Sequence, residues 1–277
     1  MKLRREVLLT LPSLGWLSVF FALPCLLILG LAFRSSDLRG GVGDEWTLDT
    51  VRLLLDGQYA AIVWRTLWMS AATTAVCLAL ALPMCWALAR MSAFWRQTVL
   101  LLVIVPFLTN FIIRIFAWRT LLHPEGVIKQ ALVWLHLATE DTFLLNNAGA
   151  VLLVMVYTQL PFAIMPLYAA AEKFDFTLVD AARDLGATTW QAIRKVFLPG
   201  IRQGLVSAIV IVFVCSLGQY VIPQFVGGTG DEMLGNKIAQ RAFSDRNLPL
   251  ASALAGALLL AVLVPTLWLG RKRETVR

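Results

Sequence analysis

Apolar residues in this chain do not alternate with polar ones. They come in long blocks, and the charges are gathered between the blocks. Reading from one charge to the next gives six uncharged runs: 7–33, 66–89, 97–113, 142–171, 203–230 and 247–270. A helix needs about 20 residues to cross the hydrocarbon core of a bilayer. All the runs but the third reach that length unaided; the third does so only by continuing past Arg114 to Leu122. Within a bilayer every backbone N–H and C=O must be satisfied inside its own segment, so such runs are helices. The pattern predicts an all-α membrane protein with six transmembrane helices, at 10–33, 64–89, 98–122, 149–171, 203–226 and 249–270. It forms a single transmembrane domain over 1–277.

The first run follows Lys2, Arg4 and Arg5, as a secretion signal would. It is too long for a typical signal core and reaches Phe33-Arg34 with no small-residue cleavage site, so it reads as a retained span. Orientation follows from the placement of Lys and Arg. One side carries Lys2, Arg4 and Arg5, then Arg90 and Arg96, then Lys173, Arg183, Arg194, Lys195 and Arg202, then Arg271, Lys272, Arg273 and Arg277. These outnumber Arg34, Arg39, Arg52, Lys129, Lys237, Arg241 and Arg246 on the other side. The richer side is the cytoplasmic one, so both termini are expected in the cytoplasm.

Composition agrees. Of the 277 residues 59% are hydrophobic and only 15% charged, with a mean hydropathy of +0.75. A soluble domain would carry more charge, and scatter it. The net charge of +7 does not indicate nucleic acid, because the basic residues cap apolar blocks and form no stripe or arm. Cys25, Cys77, Cys85 and Cys215 fall in apolar blocks without a CxxC pair and read as packing residues. His123 and His136 lie in or beside a polar loop without a ligand-spaced partner, so no metal site is expected. No nucleophile and base share a span, so no catalytic residues are expected. The alternative from another class, a stand-alone secondary transporter, needs coupling-ion ligands and usually internal repeats, and neither is evident.

The connection 172–202 is more than a connector. Thr177-x-x-Asp180 has the pattern of a capping box opening a helix, and Gly186 is placed to close it in a left-handed cap. Thr188-x-x-Gln191 opens a second helix, and Pro199-Gly200 stops it. A helix-turn-helix on the cytoplasmic face follows, between the fourth and fifth spans. Ala181 and Ala182 permit close approach by a partner surface, and Asp180, Arg183 and Asp184 would orient it. The competing reading, an amphipathic helix resting on lipid, sets Asp175, Asp180 and Asp184 against anionic headgroups.

This segment resembles the EAA loop of ABC-importer permeases, whose pattern is E-A-A, three residues, G, nine residues, I-x-L-P. Here stand Asp180-Ala181-Ala182, three residues ending in Asp184-Leu185, Gly186, nine residues, and Val196-Phe197-Leu198-Pro199. Asp for Glu and Val for Ile are the departures. Shorter matches follow in order: Gly15-Trp16 with Leu23-Pro24, Pro106-Phe107 with Arg114 and Ala117-Trp118, Leu160-Pro161-Phe162 with Pro166-Leu167-Tyr168. Val221-Ile222-Pro223 with Gly227-Gly228, and Leu234-Gly235-Asn236, complete them. These are similar to the spermidine/putrescine-type permeases.

The resemblance implies a bacterial inner-membrane permease subunit, importing a polyamine such as putrescine or spermidine delivered by a periplasmic binding protein. It implies a heterodimer with a second permease and two ATPase subunits that hold ATP and magnesium, with no cofactor on this chain. It also implies that Asp180, Ala181, Ala182, Asp184, Gly186, Val196, Leu198 and Pro199 form the contact through which the ATPase drives the permease.

Transporter sites favour helices interrupted by Pro or Gly near the midplane. Gln159-Leu160-Pro161 and Gly218-Gln219-Tyr220 have that character. Two readings of Tyr157, Gln159, Gln219 and Tyr220 stand level: they face a path, or they bridge packed helices. Arg114 is the one charge well inside a span, with Trp118 one turn on; it is a gate, a brace or a ligand contact. No Asp or Glu lies within the six runs, although a polycation calls for carboxylates or aromatic cages. Relatives often carry Glu at the positions of Gln219 and Gln224. A zwitterionic amine such as a 4-aminobutyrate-like compound is therefore the alternative cargo.

Overall fold

The computed structural model describes residues 2–37, 41–54, 57–139 and 141–274, and of these the side chains of 2–9, 58 and 264–274 are outside the description. Arg39 and Arg277, which entered the charge comparison, lie outside the described residues. The chain divides into two compact units, residues 1–64 with 234–277, and residues 65–233.

In the first unit a helical run passes from Lys2–Leu17 through a π-helical turn, Ser18–Ala22, into Leu23–Leu31. The π turn ends at Leu23-Pro24, where the Leu23 N–H donates to Ser18 O. Proline has no N–H, and its ring crowds the carbonyl four residues back. A wide turn of this kind relieves the clash without breaking the helix. The run packs on the last helix, Leu248–Glu274, where Gly256 lets Leu29 approach: a Cβ at 256 would stand 3.0 Å from Leu29 Cδ2. Tyr59, Leu234, Leu250 and Leu254 form the buried cluster of this unit. One amendment to the all-α expectation belongs here. A short antiparallel pair, Arg34–Ser36 with Val42–Trp46, is aligned Arg34 to Trp46 and Ser36 to Val42 with an irregularity between.

The second unit is built on the helix Ala148–Glu172, buried along most of its length. Asn147 caps it, its Oδ1 accepting from the Ala150 N–H at 2.9 Å. The helix Gly57–Arg90 lies against it in fixed register, with Cys77 Sγ donating to Val156 O and Cys85 Sγ to Ile164 O at the same spacing on both helices. These cysteines are packing residues, as their apolar setting predicts. On another side Arg202–Leu217 comes close at Gly204, where a Cβ would stand 2.5 Å from Ala170 Cβ. Small residues at such crossings are what bilayer helices use to pack.

The expected helix over 98–122 is not continuous. It forms as Ala93–Leu108 and Phe111–Leu121, bent by 94°. Thr109 is extended, its hydroxyl returning to Pro106 O, and Asn110 starts the second half by accepting from the Ile112 N–H at 2.9 Å. The fifth expected span, 203–226, forms as Arg202–Leu217, set at 76° to the preceding Thr189–Gly200, and it ends at Leu217 with a separate short helix, Val221–Val226, beyond. Among the described residues, three helices are long and apolar enough to cross a membrane: Thr10–Leu31, Tyr59–Arg90 and Ala148–Glu172. Counting each bent pair as one span gives five, and Leu248–Leu263 is a shorter apolar helix.

Candidate coupling loop and substrate path

The helix-turn-helix expected at 172–202 is formed, with one change in how it begins. Its first helix is Thr177–Asp184. The predicted Thr177-x-x-Asp180 capping box is not made, because Thr177 is already inside the helix. Asp175 does the work instead: its Oδ1 accepts from the Thr177 N–H at 3.0 Å and from the Thr177 hydroxyl at 2.7 Å. These two bonds favour the ionised carboxylate and hold the Asp175 carboxyl below the ordinary aspartate value.

Gly186 ends the helix with φ of +87°, in the left-handed region. The Gly186 N–H donates to Arg183 O and the Ala187 N–H to Ala182 O, the bonding pattern of a Schellman cap. The second capping box is complete. Thr188 Oγ1 accepts from the Gln191 N–H, and Gln191 Oε1 accepts from the Thr188 N–H. The second helix passes through a π turn, Ile193–Phe197, before Leu198-Pro199. The same sequence, Leu-Pro, follows the same wide turn at Leu23-Pro24.

The eight motif residues divide by position. Asp180, Ala181, Asp184, Gly186 and Pro199 are exposed. Ala182, Val196 and Leu198 are half-buried and lean on the core beneath. Asp180, Arg183, Asp184 and Gly186, with Ala187, Thr188 and Thr189, line a shallow concavity on the outer side of the turn. Leu178, Leu185 and Trp190 of the same two helices and turn are exposed, Leu185 to 90%. The motif is thus a doubly capped stub with a polar hollow and exposed apolar side chains, seated on buried Val179, Ala192 and Phe197.

The seat holds residues that the motif spacing does not reveal. Phe174, Phe176 and Phe197 form a mutual ring cluster, and Trp86 meets Phe176 and Phe197 edge-on at 5.4 and 4.7 Å. Gly200 makes room for it, since a Cβ there would stand 2.3 Å from Phe174 Cε2. Arg90 lies over Trp86 and Phe176 and faces Asp180 at 3.8 Å. Arg96 pairs with Glu172 at 3.8 Å. The one available sequence signal was the spacing of Phe174 and Phe176 ahead of the motif, aromatic residues in a stretch otherwise charged.

Of the expected path residues, Trp118 and Tyr157 are brought together, their rings 5.3 Å apart in an edge contact. Arg114 is half-buried and lies over the rings of Phe107 and Phe111, at 5.4 and 5.8 Å, while its Nε has no hydrogen-bond partner among the described residues. Aromatic faces stabilise this guanidinium. Gln159 is 2% exposed, within the packed face of its helix, and its Oε1 has no partner among the described residues. Gln219 and Tyr220 occupy the break between Arg202–Leu217 and Val221–Val226, half-buried and exposed respectively. Helix breaks of this kind are where transporter sites are commonly built. Five of the six residues therefore sit at two ring-lined features and one helix break, and Gln159 lies in a packed helix face.

Residues 3–270 match the model of the family described as binding-protein-dependent transport system inner membrane component. The spermidine/putrescine transport system permease protein PotB of Haemophilus influenzae is 33% identical over 252 residues, 90% of this chain and 88% of that protein. PotB of Escherichia coli K12 is 33% identical over 90% of each chain. The inner membrane ABC transporter permease protein YdcU of Escherichia coli K12 is 32% identical over 89% of this chain and 82% of its own. Among solved structures, a bacterial ABC transporter involved in the import of the acidic polysaccharide alginate superposes with a TM-score of 0.74. That match has 18% identity and covers 100% of this chain and 99% of the other. The MetNI methionine ABC transporter gives 0.58 at 22% identity, over 83% and 98%. At these identities the structures speak for the fold.

Proposed function

Because the chain belongs to the family of binding-protein-dependent transport system inner membrane components, we propose that it carries a polyamine such as putrescine or spermidine inward across the membrane. The chain is a permease subunit of a binding-protein-dependent ABC importer, a multi-pass inner-membrane protein. It is not an enzyme; ATP is hydrolysed on a separate subunit. The observation that carries the cargo is the 33% identity, through about nine-tenths of the chain, to permeases named for spermidine and putrescine.

The loop 172–202 is the seat of the ATPase. Its double cap, its polar hollow and the exposed Leu178, Leu185 and Trp190 support this. A coupling element must transmit force without yielding, and capped helices on an aromatic base do that. The assembly is a heterodimer with a second permease, two ATPase subunits holding ATP and magnesium, and a periplasmic binding protein. The fold has six spans with both termini cytoplasmic. The Lys and Arg distribution supports that orientation; counting each bent pair as one span and Leu248–Leu263 as the last supports that number. Arg114, Trp118, Tyr157, Gln219 and Tyr220 line the solute path, and Gln159, buried in its helix face, serves it only if its helix turns during transport.

A second reading is favoured by one observation: the six uncharged runs hold no carboxylate, and Gln219 and Gln224 are neutral. An amine with its own carboxylate, such as a 4-aminobutyrate-like compound, needs no acidic path. Uptake of labelled putrescine into vesicles bearing the assembled importer, with unlabelled 4-aminobutyrate as competitor, separates the two. Putrescine uptake without competition supports the polyamine, and uptake of 4-aminobutyrate alone removes it. Gln219→Glu is expected to lower the KM for putrescine and leave that for 4-aminobutyrate unimproved; an unchanged putrescine KM takes Gln219 out of the path.

A further inference from the structure

We propose that Arg90 is a positioning residue for energy coupling. It ties the first helix of the loop to the end of the Gly57–Arg90 helix, so that force on the loop reaches that helix directly. The proposal rests on the reading of 172–202 as the ATPase seat.

Three contacts converge on this side chain. Its guanidinium carbon lies 4.4 Å from the centre of the Trp86 ring, one turn back on its own helix. It lies 4.9 Å from the centre of Phe176, the residue before the loop helix begins. Its Nη2 is 3.8 Å from Asp180 Oδ1, in the first turn of that helix. A planar guanidinium can stack by its faces and donate from its edge at once; an ammonium cannot. Beneath it, Trp86 meets Phe176 and also Phe197, which is 1% exposed at the far end of the loop. Arg90 therefore closes the top of an aromatic stack that spans both ends of the loop.

The pair itself adds little to stability. The Arg90 side chain is 39% exposed and that of Asp180 62%, and ion pairs so placed are weak. Their value is directional. Asp180 is the acidic residue of the motif, on the face the ATPase takes, and Arg90 is the one cation paired with it among the described residues. The neighbouring pair of Arg96 with Glu172 joins the same short connection to the end of the Ala148–Glu172 helix. The turn 91–92 thus has an ion pair on each flank, Arg90 with Asp180 and, in the first turn of Ala93–Leu108, Arg96 with Glu172. A shift of the loop then acts on Trp86 and its helix through this contact as well as through the ring stack beneath.

The test uses the whole importer, with this chain, its partner permease, the ATPase subunits and the binding protein reconstituted in vesicles. Three quantities are read: capture of the ATPase, stimulation of ATP hydrolysis by the binding protein, and uptake of labelled putrescine. With Arg90→Gln, capture is expected to be unchanged while stimulation falls about fivefold or more, the size of a lost coupling term. Asp180→Asn should fall too, and the double variant should be no worse than the more severe single, as for residues acting through each other. Full stimulation in Arg90→Gln, additive losses in the double variant, or loss of ATPase capture would each overturn the proposal. If Arg90→Gln does not assemble, Arg90→Lys decides. It keeps the charge and loses the stacked fork, so reduced stimulation with full capture supports the proposal and full stimulation sinks it. A wild-type chain that captures no ATPase refutes the reading of the loop instead. A wild-type importer that hydrolyses ATP but carries no putrescine refutes only the cargo, and hydrolysis then remains the measure of Arg90.

Discussion

The N–H of Ala187 donates to the carbonyl of Ala182 at 3.1 Å, across the turn at Gly186. That bond closes the first helix of the loop and sets the angle at which the second one starts. It exists only because Gly186 holds φ at +87°. The glycine of the motif is therefore a hinge fixed in one position, not a flexible joint.

Gly186→Val is expected to insert normally and to lose ATPase capture, because a branched residue in the left-handed region costs about 1–2 kcal/mol. Gly186→Asn, which tolerates that region, should retain capture. Co-purification of the ATPase from membranes checks both. Equal capture by Val, Asn and the parent chain would show that the cap does not shape the docking surface.

The approach of Gly204 to Ala170 predicts a graded series. A Cβ at 204 would stand 2.5 Å from Ala170 Cβ and 2.7 Å from Pro166 O, whereas at Gly218 it would meet nothing within 4 Å. Gly204→Ala should lower the melting temperature in detergent and Gly204→Val lower it further, since overpacking costs about 1–3 kcal/mol. Gly218→Ala should leave it unchanged. Similar effects at the two sites would mean that helix contact at 204 is not limiting.

Asp175 predicts a pH dependence confined to the start of the loop. Its carboxyl is lowered by accepting from the Thr177 hydroxyl and N–H. A lowered folded-state value means the stabilisation is fully present above the ordinary aspartate value, about pH 4. It is lost as pH falls through the lower folded value. Hydrogen exchange at the Thr177 amide should therefore gain extra protection above that range. Asp175→Asn accepts the same bonds without titrating, and its exchange should show no such step; a persistent step assigns the titration to another group.

Gln159 predicts a separation of stability from transport. Its Oε1 is buried with no partner among the described residues, a condition that costs about 1–3 kcal/mol. Gln159→Met keeps the length and removes the unmet acceptor, so the melting temperature should hold or rise. Uptake should fall if the amide serves the solute path. A clear loss of thermal stability would show that the amide is bonded in the assembled importer, as a structural bridge.

Much of the loop was legible in the sequence because its signals are local. Thr188 with Gln191, and Gly186 as a left-handed cap, are fixed by residues within one turn of each other, and the structure forms both. Thr177 with Asp180 had the same spacing and failed. Asp175, two residues ahead of Thr177, offered a shorter and charged acceptor, and it moved the start of the helix. The break at Thr109-Asn110 was readable in the same way, since Asn is a good helix-starting residue. The continuous apolar run around it masks that signal, because length alone calls for one span there.

The sequence alone determined the helical class and the membrane setting. It also determined the two-helix loop, since runs of apolar residues and caps act over a turn or a bilayer thickness. Only the tertiary structure decided which helices bend and by how much, and that Trp118 meets Tyr157 while Gln159 stays in a packed face. It alone placed Arg90 between Trp86, Phe176 and Asp180. Those residues are some ninety positions apart, and nothing local in either segment records the other. Their meeting follows from how the Gly57–Arg90 and Ala148–Glu172 helices align, and that alignment is set by side-chain packing along both, from Cys77 against Val156 to Cys85 against Ile164.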